Sequence, residues 1–183
     1  NTAGIVNNVT FQIRPGEYVE VLSITDFPRI AYAHTVTFTS ESGDSTDVIL
    51  TQNANNTVLV ELDDAHRITF SHLRLTNTKS HIFQIRNGSS QISISNSSLE
   101  GPTALSSSRY LIYSPTTTED SLSILNNRLH NGYYGIYLYG GDYEKRHIIT
   151  GNTFTGNFQY CVYLRKFDGL NFSNNTLNAA YTG

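Results

Sequence analysis

The chain lacks several residues whose presence would point to a function. Its 183 residues include one cysteine, no methionine and no tryptophan. Cys161 is the lone cysteine, so it cannot form a disulfide within the chain, and cysteine usage does not identify a redox compartment. No apolar run approaches the roughly 18 residues that span a bilayer. Membrane insertion is therefore not expected.

Positive charge is scarce as well. Lysine occurs only at Lys79, Lys145 and Lys166, and the formal net charge is −3. Because lysine and arginine are dispersed along the chain, with no run longer than two residues, no basic patch is predicted and nucleic acid is not expected as a partner. Asparagine, serine and threonine dominate the polar residues. This usage is typical of β-rich extracellular proteins, so we expect a secreted or cell-surface location.

A repeated segment organises the chain. Alternating apolar residues, followed by a polar corner and another apolar residue, recur in segments that begin at Ile68, Ile92, Leu122, His147 and Leu170, which are 24, 30, 25 and 23 residues apart. Self-similarity at such a period predicts a solenoid. The alternation inside each segment has a period of two, which predicts a strand and not a helix.

A second apolar segment precedes each of these strands. The segments are Val58–Leu62, Ile82–Ile85, Tyr110–Tyr113, Ile136–Tyr139 and Val162–Arg165. Each turn of the solenoid therefore holds at least two strands, and these pair in parallel with the same strands of the neighbouring turns. Such a coil buries one face of every strand in a single core and leaves edge strands only at its two ends.

One asparagine falls at the same position in three successive turns. Asn127, Asn152 and Asn175 each follow an alternating strand, at a corner. Asparagine tolerates the left-handed backbone of a sharp corner, and stacked amides can hydrogen-bond along the coil. We therefore predict a structural asparagine ladder. The alternative is that these residues contact a ligand.

The repeats predict a single domain over residues 1–183. Residues 1–57 are expected to form irregular N-terminal turns or a cap, and residues 58–183 to form the regular repeats. The absence of methionine and the end within a repeat, at Asn178–Gly183, suggest a piece of a longer chain. Flanking domains of that chain are then expected as neighbours.

The repeated unit of two alternating apolar residues, Asn and a further apolar residue, with its partner strand, resembles the right-handed parallel β-helix of the pectin-lyase-like superfamily. The segment Pro15-Gly16-Glu17-Tyr18-Val19-Glu20 resembles the entry strand of pectinesterase-like members. The whole chain is similar to β-helix regions of large secreted or surface proteins of Bacteroidetes. The resemblance implies an all-β solenoid of about five to seven turns. It also implies a polysaccharide on the exposed sheet.

The catalytic motifs of that superfamily are not matched. Asn77-Thr78-Lys79 has lysine where polygalacturonase-like members have aspartate, and Asp63-Asp64 is followed by neither Gly-His-Gly nor Arg-Ile-Lys. The aspartates do not cluster as calcium ligands, and the histidines lack metal-binding spacing. No catalytic residue, metal or cofactor is predicted. Polysaccharide lyase or glycoside hydrolase activity, with its catalytic residues outside this chain, remains an alternative.

Tyrosines and arginines mark the candidate binding surface. Strand alternation predicts one outward column of Gln84, Leu111, Tyr137 and Tyr163, and a second of Arg86, Tyr113, Tyr139 and Arg165. It also predicts that Tyr110 points inward and Cys161 outward. The candidate carbohydrate-binding residues are Tyr113, Tyr137, Tyr139, Tyr163, Arg86 and Arg165.

Two functions compete for this surface. Aromatic faces can cover sugar rings while arginines bind hydroxyls or uronate carboxylates, which predicts a non-catalytic module that contacts an extended glycan. Tyrosine also suits exposed strands by propensity and cross-strand packing. The alternative is therefore a structural or adhesive spacer of a giant surface protein.

Overall fold

The structure is a computed structural model that describes residues 7–25, 34–103, 109–117 and 120–178. These residues form twenty β-strands and no α-helix, so none of them belongs to a helix that could cross a membrane. All strand pairings are parallel and link each strand to its counterpart one coil away. The predicted all-β right-handed parallel β-helix is confirmed, with about six turns.

Three parallel sheets run along the coil. Each turn therefore contributes three strands, where the sequence predicted at least two. The first sheet contains β1 (Val9–Ile13), β4 (Val36–Ser40), β7 (Ile68–Ser71), β10 (Ser93–Ser95), β13 (Ser123–Leu125), β16 (Ile148–Thr150) and β19 (Asn171–Ser173). The second contains β2 (Gly16–Val19), β5 (Val48–Gln52), β8 (Arg74–Asn77), β11 (Ser98–Glu100), β14 (Arg128–His130), β17 (Thr153–Thr155) and β20 (Thr176–Asn178).

The third sheet carries the candidate binding residues. It contains β3 (Leu22–Thr25), β6 (Val60–Asp63), β9 (Phe83–Arg86), β12 (Tyr110–Thr117), β15 (Tyr134–Lys145) and β18 (Tyr160–Asp168). The second apolar segment of each repeat lies in this sheet. The strands within residues 9–52 join the same three sheets as the regular repeats.

The core is a column of like side chains inside the coil. Leu75, Leu99 and Leu129 are fully buried in register along the second sheet. Burial of each such side chain contributes about 1.5–3 kcal/mol. Aromatic rings stack in the same way in the first sheet, where the rings of Phe11, Phe38 and Phe70 lie 5.0 and 5.2 Å apart.

A left-handed residue turns the chain from the first sheet to the second in five coils. The positions are His72, Asn96, Asn126, Gly151 and Asn174, with φ between 49° and 71°. The predicted corner is therefore present, but the left-handed residue comes one position before the expected asparagine. Asparagine and glycine fill four of the five positions because they adopt this conformation most readily.

The predicted asparagine ladder is formed by the residues that follow these corners. The Nδ2 atom of Asn127 donates to Oδ1 of Asn152 at 3.1 Å, and that of Asn152 donates to Oδ1 of Asn175 at 3.0 Å. The same oxygens accept the backbone N–H groups of Asn127 and Asn152, each at 2.9 Å. Asn127 and Asn152 are nearly completely buried. These amides therefore have a structural role, as predicted.

The predicted register of the third sheet is wrong in one coil. Tyr113 lies opposite Gln84 and Tyr137, not opposite Arg86 and Tyr139. The cause is a bend at the start of β12, where Leu111 and Ile112 both point inward and are buried. At the corresponding position of β18, Cys161 is buried, although it was expected to point outward. Two consecutive inward residues break the alternation from which the columns were predicted.

Candidate ligand-binding surface

The third sheet brings three of the candidate tyrosines into one outward column. Tyr113, Tyr137 and Tyr163 are partners in register on β12, β15 and β18. Tyr139 lies in the neighbouring column, opposite Arg165. Arg86 is not a partner of Tyr113, because Gln84 is the residue that aligns with Tyr113. The predicted surface is therefore a tyrosine row with Tyr139 and Arg165 beside it.

The rings of this surface stand on the sheet and stack on one another. His81, Tyr110, Tyr137 and Tyr163 form a four-ring stack, with centroids 5.0, 5.3 and 4.7 Å apart and neighbouring planes within 14° of parallel. Both faces of the Tyr137 ring are therefore covered. The sequence predicted that aromatic faces cover the sugar rings, and this is wrong for Tyr137, which can offer only its ring edge and hydroxyl to a ligand.

Sequence reasoning missed the other rings that contact this row. Tyr110 was predicted to be inward but stacks with His81 and Tyr137, and Tyr134 meets Tyr110 and Tyr137 edge-on at 5.0 and 5.4 Å. A signal was available, since Tyr-x-x-Tyr recurs in three successive coils: Tyr110 to Tyr113, Tyr134 to Tyr137, and Tyr160 to Tyr163. The spacing of three places both tyrosines outward across the bend.

Burial fixes the protonation of these rings. Burial, with smaller contributions from neighbouring phenols, raises the pKa of Tyr113, Tyr134 and Tyr137 above the ordinary value. These phenols keep their protons at neutral pH and can donate as well as accept hydrogen bonds. Burial lowers the pKa of His81 to about 4, so this ring is neutral at pH 7. Its Nδ1 accepts the backbone N–H of Tyr110 at 3.2 Å, which places the ring proton on Nε2.

Arg86 is engaged by carboxylates of the same sheet. Its guanidinium lies 2.7 Å from Glu61 and 3.0 Å from Asp63, and Asn87 also donates to Asp63, at 2.6 Å. A ligand carboxylate would have to displace these partners. The pair Asp63-Asp64 is divided, since Asp64 contacts His66 at 3.0 Å instead. These carboxylates therefore form separate polar clusters, with no shared site.

The opposite end of the row carries positive charge near Tyr139 that makes no ion pair among the described residues. The guanidinium carbon of Arg165 lies 4.8 Å from the centroid of the Tyr139 ring, and the Lys166 ammonium lies 5.8 Å from it. Lys166 also donates to the carbonyl of Gly141 at 2.9 Å. Arg165 is exposed, so its guanidinium can take a ligand acceptor. Across the described ranges, no group of three or more histidine, cysteine or acidic residues is placed to hold a metal.

Comparison with known families agrees with this architecture. A family model described as the right handed beta helix region matches residues 95–177, which contain the asparagine ladder and the tyrosine row. No curated protein and no solved structure matched the chain. Together with three parallel sheets coiled about six times, the match identifies the chain as a right-handed parallel β-helix repeat protein.

Proposed function

We propose that this β-helix is a non-catalytic module of a secreted or cell-surface protein that binds an extended glycan along the tyrosine row of its third sheet. The observation that carries the proposal is the stack of His81, Tyr110, Tyr137 and Tyr163, which runs across four successive coils. A stack with covered faces directs polar ring edges outward at regular spacing. A polymer of hydroxylated rings has acceptors and donors at similarly regular intervals.

The binding mode differs from the usual stacking of a sugar on an aromatic face. Protonated phenols provide both donors and acceptors, and each hydrogen bond to a neutral partner contributes about 0.5–1.5 kcal/mol. Arg165 adds a charged donor at one end of the row, beside Tyr139. The row therefore suits a long chain that makes many weak contacts better than a small ligand that is held at one point.

The test removes hydroxyls and leaves the rings. The double variant Tyr137→Phe/Tyr163→Phe keeps the stack, and we expect it to weaken binding to a polysaccharide panel by about 5- to 150-fold, which corresponds to the loss of two hydrogen bonds. Tyr18→Phe is the matched control, because its hydroxyl donates to the Arg14 carbonyl outside the third sheet. Unchanged binding by the double variant would refute the proposal.

A second candidate, a structural or adhesive spacer, is favoured by the same ring stack. Ring pairs of this kind stabilise a fold by about 0.5–1.5 kcal/mol each beyond their burial, so the stack could serve only to hold neighbouring coils together. In that case the double phenylalanine variant would retain full stability and no polysaccharide of the panel would bind the wild type. An assay for released reducing ends or unsaturated products on the same panel would reveal a lyase or hydrolase.

A further inference from the structure

A second polar surface lies on the second sheet, away from the tyrosine row. Arg74, Ser98 and Arg128 occupy matching outward positions on β8, β11 and β14. Glu100 and His130 occupy the outward positions two residues further along β11 and β14. These side chains line a groove of about 300 Å³, with residues 45–46 of a neighbouring turn at its border.

The small Ser98 side chain makes room between the two arginines. Arg74 and Arg128 lie on strands two coils apart, so their backbones are about 10 Å apart. A ligand group can therefore enter between the two guanidiniums and reach the serine hydroxyl at the floor.

Some of the charged side chains in the groove already pair with one another. Arg74 donates to Glu100 at 2.8 Å, and both side chains remain partly exposed. Nδ1 of His130 is hydrogen-bonded to the Thr155 hydroxyl at 2.8 Å. Arg128 is exposed, and within the described residues it makes no ion pair. The groove thus offers one free guanidinium beside one carboxylate that is already paired.

We propose that this groove binds a sugar unit that carries one carboxylate. The Arg128 guanidinium pairs with the ligand carboxylate through two parallel hydrogen bonds. Glu100 and Ser98 accept hydrogen bonds from the ring hydroxyls. Glu100 favours an acidic sugar over a simple inorganic anion, because its carboxylate repels a bare anion but accepts from a hydroxyl.

This inference does not rest on the proposed glycan contact of the tyrosine row. The two surfaces lie on different sheets and share no residue. Either can therefore fail alone, and a residue-resolved measurement distinguishes them.

The experiment is a titration of the ¹⁵N-labelled full chain followed by amide chemical shifts. The probes are trigalacturonate, its neutral methyl ester, and sodium sulfate. We expect trigalacturonate to shift the amides of Ser98 and Arg128, and Arg128→Ala to weaken this binding by about tenfold or more. Arg146→Ala is the matched control, since it removes the same charge from an ion pair with Asp120 elsewhere on the coil. It should change affinity by less than about twofold.

Glu100→Gln decides the ligand class. For an acidic sugar, this change leaves trigalacturonate binding unchanged or weaker while it strengthens sulfate binding. Four results would overturn the proposal: no shifts at Ser98 and Arg128, equal binding of the methyl ester, equal weakening by Arg146→Ala, or sulfate that binds the wild type more tightly than trigalacturonate does. Shifts confined to the third sheet would support the tyrosine row and reject this groove.

Discussion

Replacement of Asn152 by alanine should strongly destabilise the coil. The Asn152 side chain is buried, donates to the Ile124 carbonyl at 2.8 Å and to Asn175 at 3.0 Å, and accepts the backbone N–H of Asn127 at 2.9 Å. Alanine leaves the Asn127 N–H and the Ile124 carbonyl without these partners. At roughly 1–3 kcal/mol for each buried group, the free energy of unfolding should fall by about 2–6 kcal/mol.

The measurement is a urea denaturation curve for each variant, followed by circular dichroism. The midpoint should fall while the slope stays that of the wild type, because the buried surface is nearly unchanged. Asn171→Ala is the control, since Asn171 is an exposed asparagine one coil away and its loss should change stability by no more than about 0.5 kcal/mol. The error of such a comparison is about 1 kcal/mol. An Asn152→Ala variant whose free energy of unfolding lies within that error of the wild type would refute the ladder's role.

Two further predictions concern the third sheet. Gly135→Ala should lower the free energy of unfolding by about 1–3 kcal/mol, because the new Cβ would lie 2.5 Å from the Cys161 carbonyl oxygen and 2.8 Å from the Phe154 ring; a thermal shift assay in which the variant matches the wild type would contradict this. The wild type should lose stability as pH falls from 6.5 to about 4, because the unfolded state takes up the His81 proton before the folded state does. His81→Phe should flatten stability against pH over that interval, and an unchanged slope would show that another group is responsible.

The coil could be predicted from sequence because the strands of its first sheet have a regular alternation of apolar and polar residues. Ile94, Ile124 and Ile149 each sit at the centre of an alternating segment, and all three are buried in register. The second sheet could not be predicted in the same way. Ile94 is preceded two positions earlier by the buried Ile92, whereas a second-sheet strand such as Ser98–Glu100 has a single inward side chain, Leu99, which is too few to show a period.

The candidate surface was predicted in part. Tyr137 and Tyr163 were assigned to one column and lie in one. Tyr113 was assigned to the wrong column because alternation gives no sign of the bend at Leu111 and Ile112. The stacking of the rings could not be predicted either. Alternation along a strand predicts the face of the sheet on which a side chain lies but not the orientation of its ring. The ion pair of Arg86 with Asp63 could have been predicted from register and charge, because the two residues lie opposite each other on β9 and β6.

The most direct test of the account is a disulfide across neighbouring coils. Ser93 and Ser123 are partners in the first sheet, and adjacent parallel strands lie about 4.8 Å apart, within the Cα separation that a disulfide allows. In a Cys161→Ala background, Ser93→Cys/Ser123→Cys should form the bond on mild oxidation, as read by peptide mass. The offset pair Ser93→Cys/Leu125→Cys, about 8 Å apart, should not. The stacked coil would be contradicted if the offset pair formed the disulfide more readily than the aligned pair, or if neither pair formed one.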